Sequence, residues 1–249
     1  MTTALRMLVL GHSDSDGTRL ADPADSWPQA VAREIPGLSI ELTHRILFPG
    51  RSAARFVENE LAASTPDIAV VAVSSFSAAF EFVSNRLREV VGERAARAAI
   101  RLEHLAGDLS VSNQRLHGAT IAPRRAARRL LGTRPASTVE SALQSYRDVF
   151  QRLARDESVH TIVLGGAGYA LHHERMNPRM KSVTERFDAE LRSAAEDHHF
   201  DWVSHAGVMG GRGAKERFIM SDGIHTDEAG QRLVADAVIP LIARRWGGS

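Results

Sequence analysis

The sequence predicts a three-layer α/β/α sandwich on a parallel five-stranded sheet. Two observations carry that expectation. Short β-rich runs alternate with longer stretches of helical period, and the apolar run LVLG at 8–11 breaks into the short polar side chains HSDSDG at 12–17. Strands alternating with helices imply a parallel sheet covered on both faces. A strand that ends at glycine and hands over to serine and aspartates marks a place where such sheets open onto ligands.

Along the chain, the strands are expected at Arg6 to Leu10, Leu38 to Thr43, Ile68 to Val73, Thr161 to Leu164 and Asp201 to Val203. The helices are expected at Ser26 to Glu34, Ala53 to Ala63, Val183 to Asp197 and Asp227 to Arg245, each with apolar residues three and four apart. From about Phe80 to Arg155 helical patterns follow one another with no convincing strand, which reads as a helical insertion within a single domain over 1–249. From Arg86 through Arg155 there are fourteen arginines against six acids. A run such as RRAARR at 124–129 is a solvated helix face, or a surface that receives an anionic substrate or acidic partner.

Composition removes several function classes. With no cysteine among 249 residues, disulfides, thiolate catalysis and cysteine zinc sites are excluded. The formal net charge of +1 gives no global reason to expect nucleic acid or an anionic membrane as a partner. The start MTTALRMLVLG holds too short an apolar core for a signal peptide, and no later stretch reaches the roughly 18 apolar residues of a membrane span, so a cytoplasmic location is expected. The adjacent pairs His172-His173 and His198-His199 point in different directions on a helix or strand and read as surface polar residues rather than metal ligands. HSDSDG lacks the glutamate that a calcium loop needs at its twelfth position, which is Pro23. A serine-based mechanism needs neither a metal nor an organic cofactor, and none is expected.

Ser13 at the end of the first strand is a candidate nucleophile, although serine is also a good helix N-cap. A serine hydroxyl needs a base, and SDGIHTDEAG at 221–230 offers one. Asp222 and His225 are three apart just before an amphipathic helix, so one turn can bring the carboxylate to one imidazole nitrogen and leave the other free for a hydroxyl. The plainer alternative is that Asp222 caps a turn and His225 is a partly exposed polar residue.

Gly11-His12-Ser13 and Asp222-Gly223-Ile224-His225, with FDAELRSAAEDHHFDWVSHAG at 187–207 and DGIHTDEAGQRLVADAVIPLI at 222–242, resemble the SGNH or GDSL hydrolases over nearly the whole chain outside the insertion. The resemblance implies a serine-dependent ester hydrolase or acyltransferase with Ser13 as nucleophile, His225 as base and Asp222 as its orienting acid. It also implies an oxyanion hole from the Ser13 and Gly50 N–H groups, Gly50 lying in FPGRS and reading equally as a Pro-Gly turn. The substrate would be a small-molecule acyl ester, with an anionic one compatible with the arginine excess.

Two departures qualify the resemblance. His12 stands where the family has aspartate, and the family's third block, Gly-x-Asn-Asp, aligns with Ser74, Ser75, Phe76 and Ser77, without the asparagine. One lost oxyanion donor costs about 10²–10³ in rate. Either another group enters the site, with Ser74, Ser75, Asn85 and Asn113 as candidates, or two backbone donors suffice for slow hydrolysis or transfer, or catalysis is lost. His12, Ser74, Ser75, Phe76 and Asn113 are therefore the expected substrate-binding residues. The competing class is a catalytically impaired protein of the same fold that binds an anionic ligand or partner through the basic insertion. A third class turns the pocket to another reaction, with His12, Asp14 and Asp16 as added acid–base groups.

Overall fold

The computed structural model describes residues 4–101, 130, 132–211 and 214–246. Five parallel strands, β1 (Ala4–Gly11), β2 (Ser39–Ile46), β3 (Ile68–Ala72), β4 (His160–Leu164) and β5 (Asp201–Val203), form one sheet in the order β2-β1-β3-β4-β5. Every residue of β3 is buried, as the apolar run IAVVA requires of a strand covered on both faces. Along β1, Met7 and Val9 enter one core cluster while the alternate residues Leu8 and Leu10 are also fully buried.

Among the described residues of the unit that holds the sheet, the helices of eight residues or more are α1 (Trp27–Glu34), α2 (Ala53–Ser64), α3 (Val139–Leu153), α4 (Pro178–Asp197) and α5 (Glu228–Trp246). On one face α1 packs on α5, and Trp27, Val31, Val234, Val238 and Ile242 join Met7 and Val9 in a continuous core. Among the remaining helices, α2 packs on α3 and α3 on α4. Helix α4 begins five residues before the expected Val183. Asn177 caps it by accepting from the Arg179 N–H at 3.2 Å, and Pro178 occupies the first turn, where a missing N–H costs nothing. The Asp227 carboxyl accepts from the Gly230 N–H at 2.8 Å at the start of α5. No helix among the described residues is long and apolar enough to cross a membrane.

The chain divides into two compact units, residues 1–75 with 139–249, and 76–138. In the second, the Phe76 ring stacks on Phe80 at 4.5 Å, with Phe82 beside both. The expected all-helical insertion is corrected in two respects. Glu81–Phe82 and Arg134–Pro135 pair as a short antiparallel ladder. Helix α3 belongs to the first unit, because Ala142, Leu143, Tyr146, Val149, Phe150 and Leu153 form an apolar stripe buried in that unit. The segment RRAARR and Asn113 lie outside the described residues.

The parallel register places all five carboxyl ends on one edge, with Gly11 opposite Ile46 and Ala72 opposite Leu164. Because β2 lies on one side of β1 and β3 on the other, the strand order reverses at β1. The crevice at the carboxyl end of β1 is therefore the topological switch point, where open α/β sheets bind ligands.

Candidate active site

Residues 12–17 follow β1 at that switch point. A turn closes from the Ser15 N–H to the His12 carbonyl at 2.9 Å, and the Ser15 hydroxyl donates to the same carbonyl at 2.8 Å. The His12 N–H donates back to Ser15 Oγ at 2.9 Å. This closed turn explains the glycine that ends the strand. A Cβ at Gly11 would lie 1.9 Å from Ser15 Oγ, so only glycine lets the serine fold under the chain. Ser13, in the middle of the turn, is exposed, while the two residues that follow it, Asp14 and Ser15, are buried.

Ser13 Oγ lies 2.8 Å from His225 Nε2, and His225 Nδ1 lies 2.6 Å from Asp222 Oδ2. The neutral ring carries its proton on Nδ1 and donates it to Asp222, which leaves Nε2 to accept from the serine hydroxyl. The other Asp222 oxygen accepts from the Ile224 and His225 N–H groups at 2.9 and 3.0 Å. Burial opposes ionisation of Asp222, but the bond from the His225 ring and those from the two amides outweigh it and hold the carboxyl at about 2.

Several partners of this block escaped the sequence. Gly223 has φ +75°, and a Cβ there would lie 2.5 Å from the His172 ring and 2.6 Å from that of His173. His173 Nε2–H donates to the Asp222 carbonyl at 2.8 Å, and the Ala170 N–H donates to that of Gly223 at 2.9 Å. The expectation of two surface histidines thus fails at His173, which is tied to the Asp222 backbone. Adjacent histidines carry no signal in the sequence that would reveal such a contact.

Behind the turn is a second buried network. Thr226 donates its N–H and its hydroxyl to Asp14 Oδ1 at 2.6 and 2.8 Å. The Gln231 amide donates to the Asp14 carbonyl at 2.8 Å and to Thr226 Oγ1 at 2.6 Å, and its oxygen accepts from the Trp27 N–H at 2.9 Å. Asp14 Oδ2 and His205 Nε2, buried and 3.9 Å apart, find no hydrogen-bond partner among the described residues. Burial pushes His205 down to about 4, against the pull of Asp14, so its ring is neutral at ordinary pH.

The other expected site residues are distributed as follows. His12 is half-buried and its pKa is lowered by burial, Asp14 opposing the shift and His225 adding to it. The Gly50 N–H donates to Ser145 Oγ on α3 at 2.7 Å, and the Ser145 hydroxyl donates back to the Gly50 carbonyl at 3.1 Å. The expected oxyanion donor is therefore engaged within the protein. The Ser74 N–H donates to the Tyr146 hydroxyl at 3.0 Å, and Ser75, 4% exposed, lies 3.1 Å from the Tyr169 hydroxyl and 3.3 Å from that of Thr184. This corrects Ser75 as a substrate contact, because burial leaves it no surface to offer. Asn85, in the second unit, donates to the Arg134 carbonyl at 3.3 Å. Asp16 accepts from the Thr18 N–H and hydroxyl and serves the turn rather than acid–base work. No group of three or more metal-ligating side chains occurs among the described residues.

The arginine excess is in part compensated. Arg86 and Arg134 pair with Glu89, Arg88 with Glu93, Arg147 with Glu190 and Arg152 with Glu58. These contacts support a solvated, ion-paired surface at those positions.

No protein-family model matches the chain, and no curated sequence does. Solved structures match it over nearly their whole length. A lipase/acylhydrolase from Enterococcus faecalis superposes with a TM-score of 0.61 at 12% identity, covering 97% of this chain and 96% of that one. An acetylxylan esterase, Axe2, from Geobacillus stearothermophilus gives 0.57 at 12%, covering 96% and 95%. A protein from Desulfitobacterium hafniense DCB-2 assigned to the G-D-S-L lipolytic family gives 0.56 at 10%, covering 95% and 98%. At such identities the likeness is one of fold.

Proposed function

Given a chain with the fold of the SGNH/GDSL hydrolases, we propose that it is a serine-dependent ester hydrolase or acyltransferase acting on a small acyl ester. The observation that carries this reading is the hydrogen-bonded series from an exposed serine at the switch point through His225 Nε2 and Nδ1 to Asp222. In this mechanism Ser13 Oγ attacks the ester carbonyl carbon while His225 Nε2 takes the hydroxyl proton. Asp222 stabilises the resulting imidazolium and keeps the ring oriented. Collapse of the tetrahedral adduct breaks the acyl–oxygen bond, and His225 returns the proton to the leaving alcohol. Water, or a second alcohol in a transfer reaction, then takes the acyl group from Ser13 by the reverse sequence. The Ser13 N–H, carried by the turn that presents the hydroxyl, is the donor that meets the oxyanion.

The test is a fluorophosphonate probe with mass-spectrometric mapping of the modified residue. An activated serine reacts and a turn serine does not. Modification at Ser13 is the expected result. Unmodified protein, under conditions that label a control esterase, favours the second reading, a binding protein that keeps the fold and has given up catalysis. The specific observation behind that reading is that Gly50 spends its N–H on Ser145.

The Gly50–Ser145 contact makes its own prediction. If Gly50 N–H is a second oxyanion donor that must leave Ser145 before it acts, Ser145→Ala should raise kcat for p-nitrophenyl acetate several-fold, within the bound of about 10²–10³ that one such donor supplies. A folded Ser145→Ala variant slower than wild type would show that Ser145 holds the loop in its working position.

A further inference from the structure

We propose that Asp14 is the positioning residue that sets the distance between Ser13 and His225, an inference that rests on the reading of those two residues as nucleophile and base. Ser13 and His225 meet from positions 212 residues apart, on two separate turns. Each turn is free to shift unless something joins them. The join lies one residue further along each chain segment: Asp14 follows Ser13, Thr226 follows His225, and both Thr226 donors end on one oxygen of Asp14. Gln231 closes the arrangement by reaching the Asp14 carbonyl and the Thr226 hydroxyl at once. Asp14, Thr226 and Gln231 are 5%, 1% and 1% exposed, so water does not compete for these bonds.

The same geometry says which property of Asp14 matters. Only Oδ1 is used in the clamp, and Oδ2 faces His205 Nε2 at 3.9 Å without a hydrogen bond. A carbonyl oxygen at Oδ1 is therefore sufficient, and a negative charge is not required. Asparagine supplies that oxygen, and its NH₂ group faces the neutral His205 ring, whose Nε2 accepts when the proton is on Nδ1. Asp14 thus acts through the shape of its hydrogen bonds, and it neither touches the reacting atoms nor transfers a proton.

The experiment compares Asp14→Ala, Asp14→Asn and Thr226→Val in the full chain, with p-nitrophenyl acetate as substrate and thermal melts to establish folding. Asp14→Ala should lower kcat by on the order of 10²-fold with KM nearly unchanged, since misplacement by about 1 Å has that effect. Asp14→Asn should retain most of the wild-type kcat and melt near the wild-type temperature, because it keeps the carbonyl oxygen that accepts both Thr226 donors. Thr226→Val keeps the N–H donor and loses the hydroxyl, and it should fall between the two. It decides the matter if Asp14→Ala does not fold. Wild-type kcat in Asp14→Ala or, failing that variant, in Thr226→Val would overturn the proposal, as would an Asp14→Asn variant impaired as badly as Asp14→Ala. A readout independent of turnover is the downfield NMR signal of the His225 Nδ1 proton. With the ring held between Ser13 and Asp222 the signal should persist in wild type and Asp14→Asn, and it should be broadened by water exchange in Asp14→Ala and Thr226→Val. If wild type neither turns over esters nor reacts at Ser13 while the NMR pattern holds, the catalytic reading fails and the clamp stands. An NMR signal unchanged in every folded variant would overturn the clamp.

Discussion

Ser13→Ala is expected to lower kcat/KM for a small activated ester by on the order of 10⁴–10⁶-fold, to the level of whatever the remaining donors and binding contacts achieve. It should also abolish fluorophosphonate labelling. The loss should be chemical rather than structural. Ser13 is exposed, and among the described residues its hydroxyl bonds to His225, at 2.8 Å. The turn that carries it is held by His12, Ser15 and Asp14, none of which touches the Ser13 hydroxyl. Melting temperatures of wild type and variant should therefore agree closely, exposed serines away from caps contributing little. A Ser13→Ala variant with undiminished activity would remove the nucleophile from the proposed mechanism, and residual activity within tenfold of wild type would assign the reaction to another group.

Asp222→Asn should lower kcat by about 10⁴-fold while leaving the backbone of the turn in place, as expected of a carboxylate that sets a histidine's tautomer. The amide oxygen of asparagine still accepts from the Ile224 and His225 N–H groups. What changes is the atom facing His225 Nδ1 at 2.6 Å. An NH₂ there demands a bare Nδ1, which moves the ring proton to Nε2 and blocks acceptance from Ser13. The substitution also has a signature in stability. Asp222 titrates at about 2 in the folded chain against an ordinary value of 3.8, so it binds fewer protons folded than unfolded. Its contribution is fully present above about pH 4 and is lost as the pH falls through about 2. Denaturant melts should show the wild type more stable than Asp222→Asn near pH 6, with the gap closing toward pH 2. A gap that widened as the pH fell would contradict the assignment of the Asp222–His225 bond.

The strands themselves and their parallel sense follow from local signals, whereas their order in the sheet came from the structure. The apolar runs that form β1, β3 and β4 and the periodic stretches that form α1, α2 and α5 are read within windows of ten to twenty residues. Where the boundaries differ, a local signal was overlooked, as at Asn177-Pro178, which starts α4 five residues early. Helix α3 is a different case. Its amphipathic stripe is visible in the sequence, but nothing local says that the stripe belongs to α2 and α4 rather than to an insertion.

The same division runs through the site. The sequence by itself determined the α/β class and made the pairing of Asp222 with His225 possible, because a spacing of three lets one turn bring carboxyl and imidazole within reach. It also marked Ser13 at the end of β1 as a candidate nucleophile or helix cap, and the structure leaves it exposed in a turn that only Gly11 permits. Only the tertiary structure decided the contacts that join distant segments: Ser13 with His225 and Asp14 with Thr226, each 212 residues apart, and Gly50 with Ser145, 95 apart. A hydrogen bond between distant residues leaves no periodicity or spacing in the chain. It forms because the parallel sheet brings loops from opposite ends of the sequence to one edge, where burial makes each unpaired donor costly and so selects the partner that lies within reach.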